Sequence, residues 1–157
     1  MVAASLKSFI EAKLPGAFLE EQRFGRAGAV AHWVEAASIA RVAKLLKECP
    51  ETRLDWLENL SCMQIDTALV LTYFVGASAA AEIRPLCLLR ASVPVEGARE
   101  LAEVPSVRAS WTAAAPFEDE IAELFGVKFT PHKQGRRSLP AEVKGFPLRK
   151  GGAGAVG

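Results

Sequence analysis

Apolar positions along the chain change period several times, and each change marks an element. Leu6, Phe9, Ile10 and Ala12 recur at helical spacing, predicting a helix over Ser5–Lys13 that Pro15-Gly16 ends. Ala17–Arg23 and Ala29–Trp33 read as two short strands around the turn Gly25–Gly28. Ile39, Val42, Leu45 and Leu46 form one stripe, with Arg41, Lys44, Lys47 and Glu48 turned to water, so a core-facing helix precedes Pro50. Leu54–Ile65 has a mixed pattern (Leu54, Trp56, Leu57, Leu60) and is read as a loop or turn leading into a strand. Three strands are then expected at Ala68–Val75, Ile83–Ala91 and Val107–Trp111. The first is almost wholly apolar, as an interior strand is, and Pro85 places an edge or strand start in the second. Gly97–Val104 is left for a short helix. Glu118–Phe125 forms a last, acidic helix, closed by Gly126 in the position that tolerates left-handed backbone. Strands outnumber helices and do not alternate regularly with them. The class expected is α+β: a two-layer sandwich of a mainly antiparallel or mixed sheet with helices on one side, plus an extended C-terminal arm.

At 157 residues the chain has the length of one domain, and 50% apolar with 24% charged residues is a globular composition. No apolar run reaches the roughly 18–20 residues of a membrane-spanning helix; the best, Ala68–Ala81, is interrupted by Thr72, Gly76 and Ser78. The first residues lack the basic start, apolar core and cleavage site of a signal peptide, so a cytoplasmic protein is expected. Cys49, Cys62 and Cys87 lack metal-site spacing and are odd in number, which reads as free thiols. His32 lies in an apolar strand and His132 a hundred residues away, without triad or ligand partners. Phosphate loops, nucleophile elbows and HExxH are absent from the sequence. These observations point to no catalytic residue, no metal site and no cofactor.

Charge is the informative quantity. The net charge is only +1, but Val127–Gly157 holds seven basic residues against Glu142 alone, leaving 12 basic and 17 acidic before it. That last segment also carries Pro131, Pro140 and Pro147, which forbid a long helix. Its few apolar residues (Phe129, Leu139, Phe146, Leu148) sit beside prolines and glycines, the pattern of an extended peptide that plants side chains in successive pockets. Residues 1–129 are therefore read as the α+β domain and 130–157 as a basic docking arm. Arginines in the arm suit carboxylates or carbonyls of a partner. A solvated tail is the plain alternative, and a nucleic-acid-binding module using the arm is a further one. Glu118, Glu120 and Glu123 are paired carboxylates without a second catalytic group beside them, so a docking role outranks acid–base chemistry.

These same residues carry a family pattern. Glu118-Asp-Glu-Ile-Ala-Glu-Leu-Phe-Gly-Val-Lys-Phe129 resembles the motif E-R-E-x-x-D-x-F-G-I-x-F of the 30 kDa subunit of bacterial NADH:quinone oxidoreductase (respiratory complex I). His132 with Arg137-Ser-Leu139 matches part of the following G-H-P-x-L-x-R-x-L, and Gly145-Phe-Pro-Leu-Arg-Lys150 matches G-x-P-L-R-K-D. The same family includes a component of energy-converting nickel–iron hydrogenases. Asp119 stands where the motif has arginine, Glu123 where it has aspartate, Lys133-Gln-Gly135 replaces the proline-containing stretch, and Gly151 takes the place of the final aspartate. The resemblance covers about a third of the chain and leaves both kinds of complex open. It implies a non-catalytic peripheral-arm subunit that binds no cofactor and packs on the large (D-like) chain near the iron–sulfur subunits. It would lie on the cytoplasmic side of the inner membrane and meet the membrane only through the complex, with no nucleic-acid partner. On this reading the partner-binding residues are Glu118, Glu120, Glu123, Phe125, Phe129, His132, Arg136, Arg137, Pro147, Leu148, Arg149 and Lys150. Without a partner, the arm is expected to be poorly ordered.

Overall fold

A computed structural model describes residues 3–26, 28–78, 87–133 and 135–151. In chain order the elements are α1 (Ala3–Lys13), β1 (Phe18–Phe24), β2 (Ala29–Val34), a 3-10 turn (Ala36–Ser38), α2 (Ile39–Glu48), β3 (Trp56–Ile65), β4 (Ala68–Gly76), β5 (Cys87–Pro94), β6 (Ala102–Pro105), α3 (Ala114–Phe125) and β7 (Val127–Thr130). Five strands form one mixed sheet in the order β1-β2-β5-β4-β3, in which only β2 and β5 run parallel. β6 and β7 make a second, parallel pair. This is the α+β two-layer architecture the hydrophobic pattern predicts.

Side chains alternate across the sheet. One face sends Phe18, Val34, Leu89, Leu69, Leu71, Tyr73, Val75, Leu57 and Leu60 into a single core with Leu6 and Ile10 of α1, Ile39, Val42, Ala43 and Leu46 of α2, and Ile121, Ala122 and Phe125 of α3. Ala31, Val70 and Leu88 are buried as well but belong to the opposite face and lie outside that cluster. The helices thus cover one side. α2 ends where Pro50 follows Cys49, and Leu54 N then donates back to Leu46 O, returning the chain to the sheet.

The structure corrects several boundaries. Leu54–Ile65 is strand from Trp56 onward; a register irregularity between Leu57 and Asn59 lets Leu57 and Leu60, three apart, both face inward. Val107–Trp111 is a turn rather than a strand: Ser110 N and Trp111 N both donate to Val107 O. Gly97–Val104 is not a helix; its end becomes β6, because Ala102 and Val104 point inward and β7 supplies a parallel neighbour from 25 residues downstream. α3 begins at Ala114, and Pro116 is accommodated in its first turn, where the missing N–H has no intrahelical acceptor. The start of the expected Ile83–Ala91 strand, with Pro85, lies outside the described residues.

Candidate functional site

α3 is amphipathic with one exception. Ile121, Ala122 and Phe125 form its buried stripe, and Glu118, three positions before Ile121, lies on that same stripe with 0% exposure. A carboxylate in such a place needs partners, and the turn after β6 provides them. Ser106 Oγ donates to Glu118 Oε2 at 2.7 Å and Val107 N to Oε1 at 2.9 Å. Arg108 Nε closes an ion pair on Oε2, also at 2.7 Å. Arg108 Nη2 reaches Asp119 Oδ1 at 2.6 Å, so one guanidinium edge spans two consecutive carboxylates. Burial pulls the Arg108 pKa down, but the hydrogen bonds to Asp119 and Glu118 outweigh it and the net shift is upward. For Asp119, burial works to raise the pKa; the Gly135 N–H and Arg108 overcome it and hold the carboxyl below its ordinary value.

The arm is fastened to the exposed side of this helix. Gly135 N donates to Asp119 Oδ1 at 3.0 Å and Ser138 N to Glu123 Oε1 at 2.5 Å, so two carboxylates one helical turn apart receive two backbone N–H groups of the arm. Arg137 donates to Val143 O, closing a loop within the arm. Further on, Leu148 N donates to Leu124 O and Lys150 N to Gln64 Oε1 of β3. The Phe146 ring covers Gly126, the left-handed C-cap of α3 (φ 71°), and Arg149 lies 5.7 Å from that ring, 3% exposed, donating to Glu100 O. Arg149 Nε and Nη2 have no partner among the described residues, and burial lowers its pKa despite the opposing pull of Glu100. The described residues of the arm, 131–133 and 135–151, therefore hold no helix or strand but are strapped across α3.

The residues read as partner-binding separate into two groups. Glu120, His132, Arg136, Arg137, Leu148 and Lys150 are exposed, and Glu123 and Pro147 are half-buried. Glu118, Phe125, Phe129 and Arg149 are buried within the chain itself. Glu118 is thus an internal brace, a correction its helical spacing to Ile121 and Phe125 already signals. Arg108 carries no motif that would single it out. A cavity of about 110 Å³ beside the brace is lined by Arg108, Glu118, Asp119, Lys128, His132 and Phe146, and its charges are already paired in the case of the first three.

The remaining reactive groups are dispersed. Burial pushes the Cys62 and Cys87 thiols up to about 12, and Cys49 is raised by its hydrogen bond to Glu51. His32 is 5% exposed; its Nδ1 lies 3.4 Å from Glu21 Oε1 but out of hydrogen-bond alignment, and burial lowers its pKa against the pull of Glu21. Among the described residues, no group of three His, Cys, Asp or Glu could hold a metal ion. Likewise, no helix there is long and apolar enough to cross a membrane.

Fold and site define an α+β protein whose basic C-terminal segment is strapped over an acidic helix through backbone N–H groups. The family profile described as "Respiratory-chain NADH dehydrogenase, 30 Kd subunit" matches residues 32–154, and the chain belongs to that family. The NADH-quinone oxidoreductase C subunit of Roseiflexus sp. (strain RS-1) is 30% identical over 155 residues, covering 94% of this chain and 82% of that protein. The NADH-quinone oxidoreductase C/D protein of Shewanella woodyi is 30% identical over 136 residues, 83% of this chain but 22% of that longer protein. The fold recurs in a chain of the membrane-bound sulfane sulfur reductase, an archaeal respiratory membrane complex, with TM-score 0.64 over 95% of this chain and 84% of that one, at 17% identity.

Proposed function

We propose that this chain is a non-catalytic peripheral subunit of a membrane-associated electron-transfer complex of the NADH:quinone oxidoreductase or hydrogenase-related type. It docks on a large, D-like chain beside the iron–sulfur subunits on the cytoplasmic side of the membrane. Family membership supports the class of complex, and the occurrence of C/D proteins among the relatives supports the neighbour. The observation that carries the docking mode is the arm itself. Its backbone is held by Asp119, Glu123, Leu124 and Gln64, while the side chains of Lys133, Arg136, Lys144 and Lys150 stay exposed. A basic strip on a pinned backbone meets an acidic partner surface with little further ordering entropy to lose. Glu120, His132, Arg137 and Leu148 are exposed as well and are assigned to the same docking surface.

The experiment is co-purification of the tagged full-length chain from native membranes with mass spectrometry of what accompanies it. Recovery of a large-subunit homologue and iron–sulfur subunits is expected, and the triple variant Lys133→Glu/Arg136→Glu/Lys144→Glu should lose them. NADH-binding subunits in the preparation would identify a complex I, whereas a nickel-bearing large subunit would identify a hydrogenase. Elution of the wild-type chain alone or with nucleic acid would overturn the proposal.

A further inference from the structure

Between the end of α1 and the side of α2 lies an open groove of about 440 Å³. Leu14 and Leu45, both half-buried, form its apolar lining, and Leu45 is the residue of the α2 stripe that the core leaves uncovered. Lys13, Arg41 and Lys44 line the same groove and are exposed, against one carboxylate, Glu48. Cys49, the C-cap of α2, completes the lining. Among the described residues none of the three cations reaches a carboxylate within ion-pair distance, although Lys44 and Glu48 are one helical turn apart. Arg41 donates from Nη2 to the neutral Ser38 Oγ at 2.9 Å.

Three uncompensated cations here run against the composition of the domain. Before Val127 the chain holds 12 basic against 17 acidic residues, so a surface drawn from it at random would be acidic. Like charges around one concave surface raise its potential, and an anionic occupant relieves their repulsion. The apolar lining selects the kind of anion. A small inorganic anion would leave Leu14 and Leu45 bare, and a nucleic acid would need a longer row of cations with aromatic stacking surfaces, which this groove lacks. Size agrees: a cavity of about 150 Å³ encloses a benzene ring, so a groove of about 440 Å³ takes two or three side chains rather than one. An acidic amphipathic segment satisfies both halves of the surface, burying apolar side chains on the leucines and bringing carboxylates to the cations around them.

We propose that the groove between α1 and α2 docks an acidic amphipathic segment of a protein partner, its apolar side chains against Leu14 and Leu45 and its carboxylates on Lys13, Arg41 and Lys44. This contact rests on membership of a multi-subunit complex and is separate from the arm, which is fastened at Asp119, Glu123, Leu124 and Gln64, none of them in the groove.

The test labels lysines with acetic anhydride and Cys49 with iodoacetamide, in the isolated full-length chain and in the complex purified from native membranes, read by mass spectrometry. Lys13, Lys44 and Cys49 should each be protected several-fold in the complex. Lys13→Glu/Lys44→Glu removes no hydrogen bond or ion pair among the described residues. Its melting temperature should therefore move by only a few degrees, while recovery of the complex with the tagged variant falls tenfold or more. Equal labelling in both states, measured on wild-type protein and so independent of any folding defect, overturns the inference alone. So does wild-type recovery with the double variant. Equal protection of the isolated chain by phosphatidylglycerol vesicles would make the groove a lipid contact and overturn the protein partner. Failure of the wild-type chain to enter any complex overturns the proposed function and this inference with it.

Discussion

The Phe146 ring sits directly over Gly126: a Cβ built on Gly126 would lie 2.4 to 2.7 Å from three of its ring carbons. Gly126 has φ 71° and caps α3, with its N–H on Ala122 O. One glycine therefore ends the helix and leaves the space in which the arm plants its aromatic anchor. Gly126→Ala should cost about 1–2 kcal/mol for the left-handed backbone alone and must also expel the ring. The expected outcome is a lower urea midpoint together with faster tryptic cleavage at Arg136 and Arg137. Unchanged cleavage would mean that Phe146 does not hold the arm.

Glu118 and Arg108 make a second separable test. Removing the Glu118 carboxylate strands buried donors at about 1–3 kcal/mol for an unsatisfied group, while Arg108, partly exposed, keeps its ion pair with Asp119. Glu118→Ala should lose stability of at least that order, measured by urea denaturation, because Ser106 Oγ, Val107 N and Arg108 Nε each lose their acceptor. Glu118→Gln keeps one acceptor oxygen and should lose less. A catalytic carboxylate would show the opposite balance: little change in stability and complete loss of an activity.

Acidification should release the arm before it unfolds the domain. The pKa of Asp119 is depressed in the folded chain, net of a burial effect that opposes the shift. A depressed carboxyl contributes stability that is present above its unfolded pKa, near 4, and is lost as pH falls through the lower folded value. Amide exchange at Gly135 should accordingly accelerate, relative to its intrinsic rate, as pH drops below about 4. Asp119→Asn should remove that pH dependence. An Asn variant that retains the wild-type acid profile would assign the transition to another group.

These tests concern contacts that a linear reading reaches unevenly. Local periodicity suffices for α2, whose stripe Ile39, Val42, Leu45 and Leu46 is buried except at Leu45, which is half-buried, and for the apolar strand β4. It fails where a distant partner decides the conformation. β6 is only four residues long and is a strand because β7 lies beside it; Leu57 and Leu60 break strand alternation because of a register irregularity. The candidate site divides along the same line. Glu118 is legible as buried from its spacing to Ile121 and Phe125, but Arg108 is not, since nothing local says which cation will meet that carboxylate. The arm's basic residues are plain in the sequence. What holds the arm is not, because the contacts to Asp119, Glu123 and Leu124 are made by backbone N–H groups that every residue but proline possesses.

The three cysteines supply the last test. Burial pushes Cys62 and Cys87 up to about 12, so the thiolate fraction of each at pH 8 is on the order of one in ten thousand. Cys49 is raised as well, but through its hydrogen bond to Glu51 first, at a side chain that water reaches. At pH 8 iodoacetamide should therefore modify Cys49 well ahead of the other two, and all three should react once urea unfolds the chain. Glu51→Ala removes the acceptor that favours the protonated thiol, so Cys49 should alkylate faster still with Cys62 and Cys87 unchanged. Rapid labelling of Cys62 in the native chain would mean that the Arg149 end of the arm leaves β3 frequently, since Cys62 and Arg149 are close enough for each charge to shift the other. Burial at Cys62 would then be an intermittent property of a moving strap.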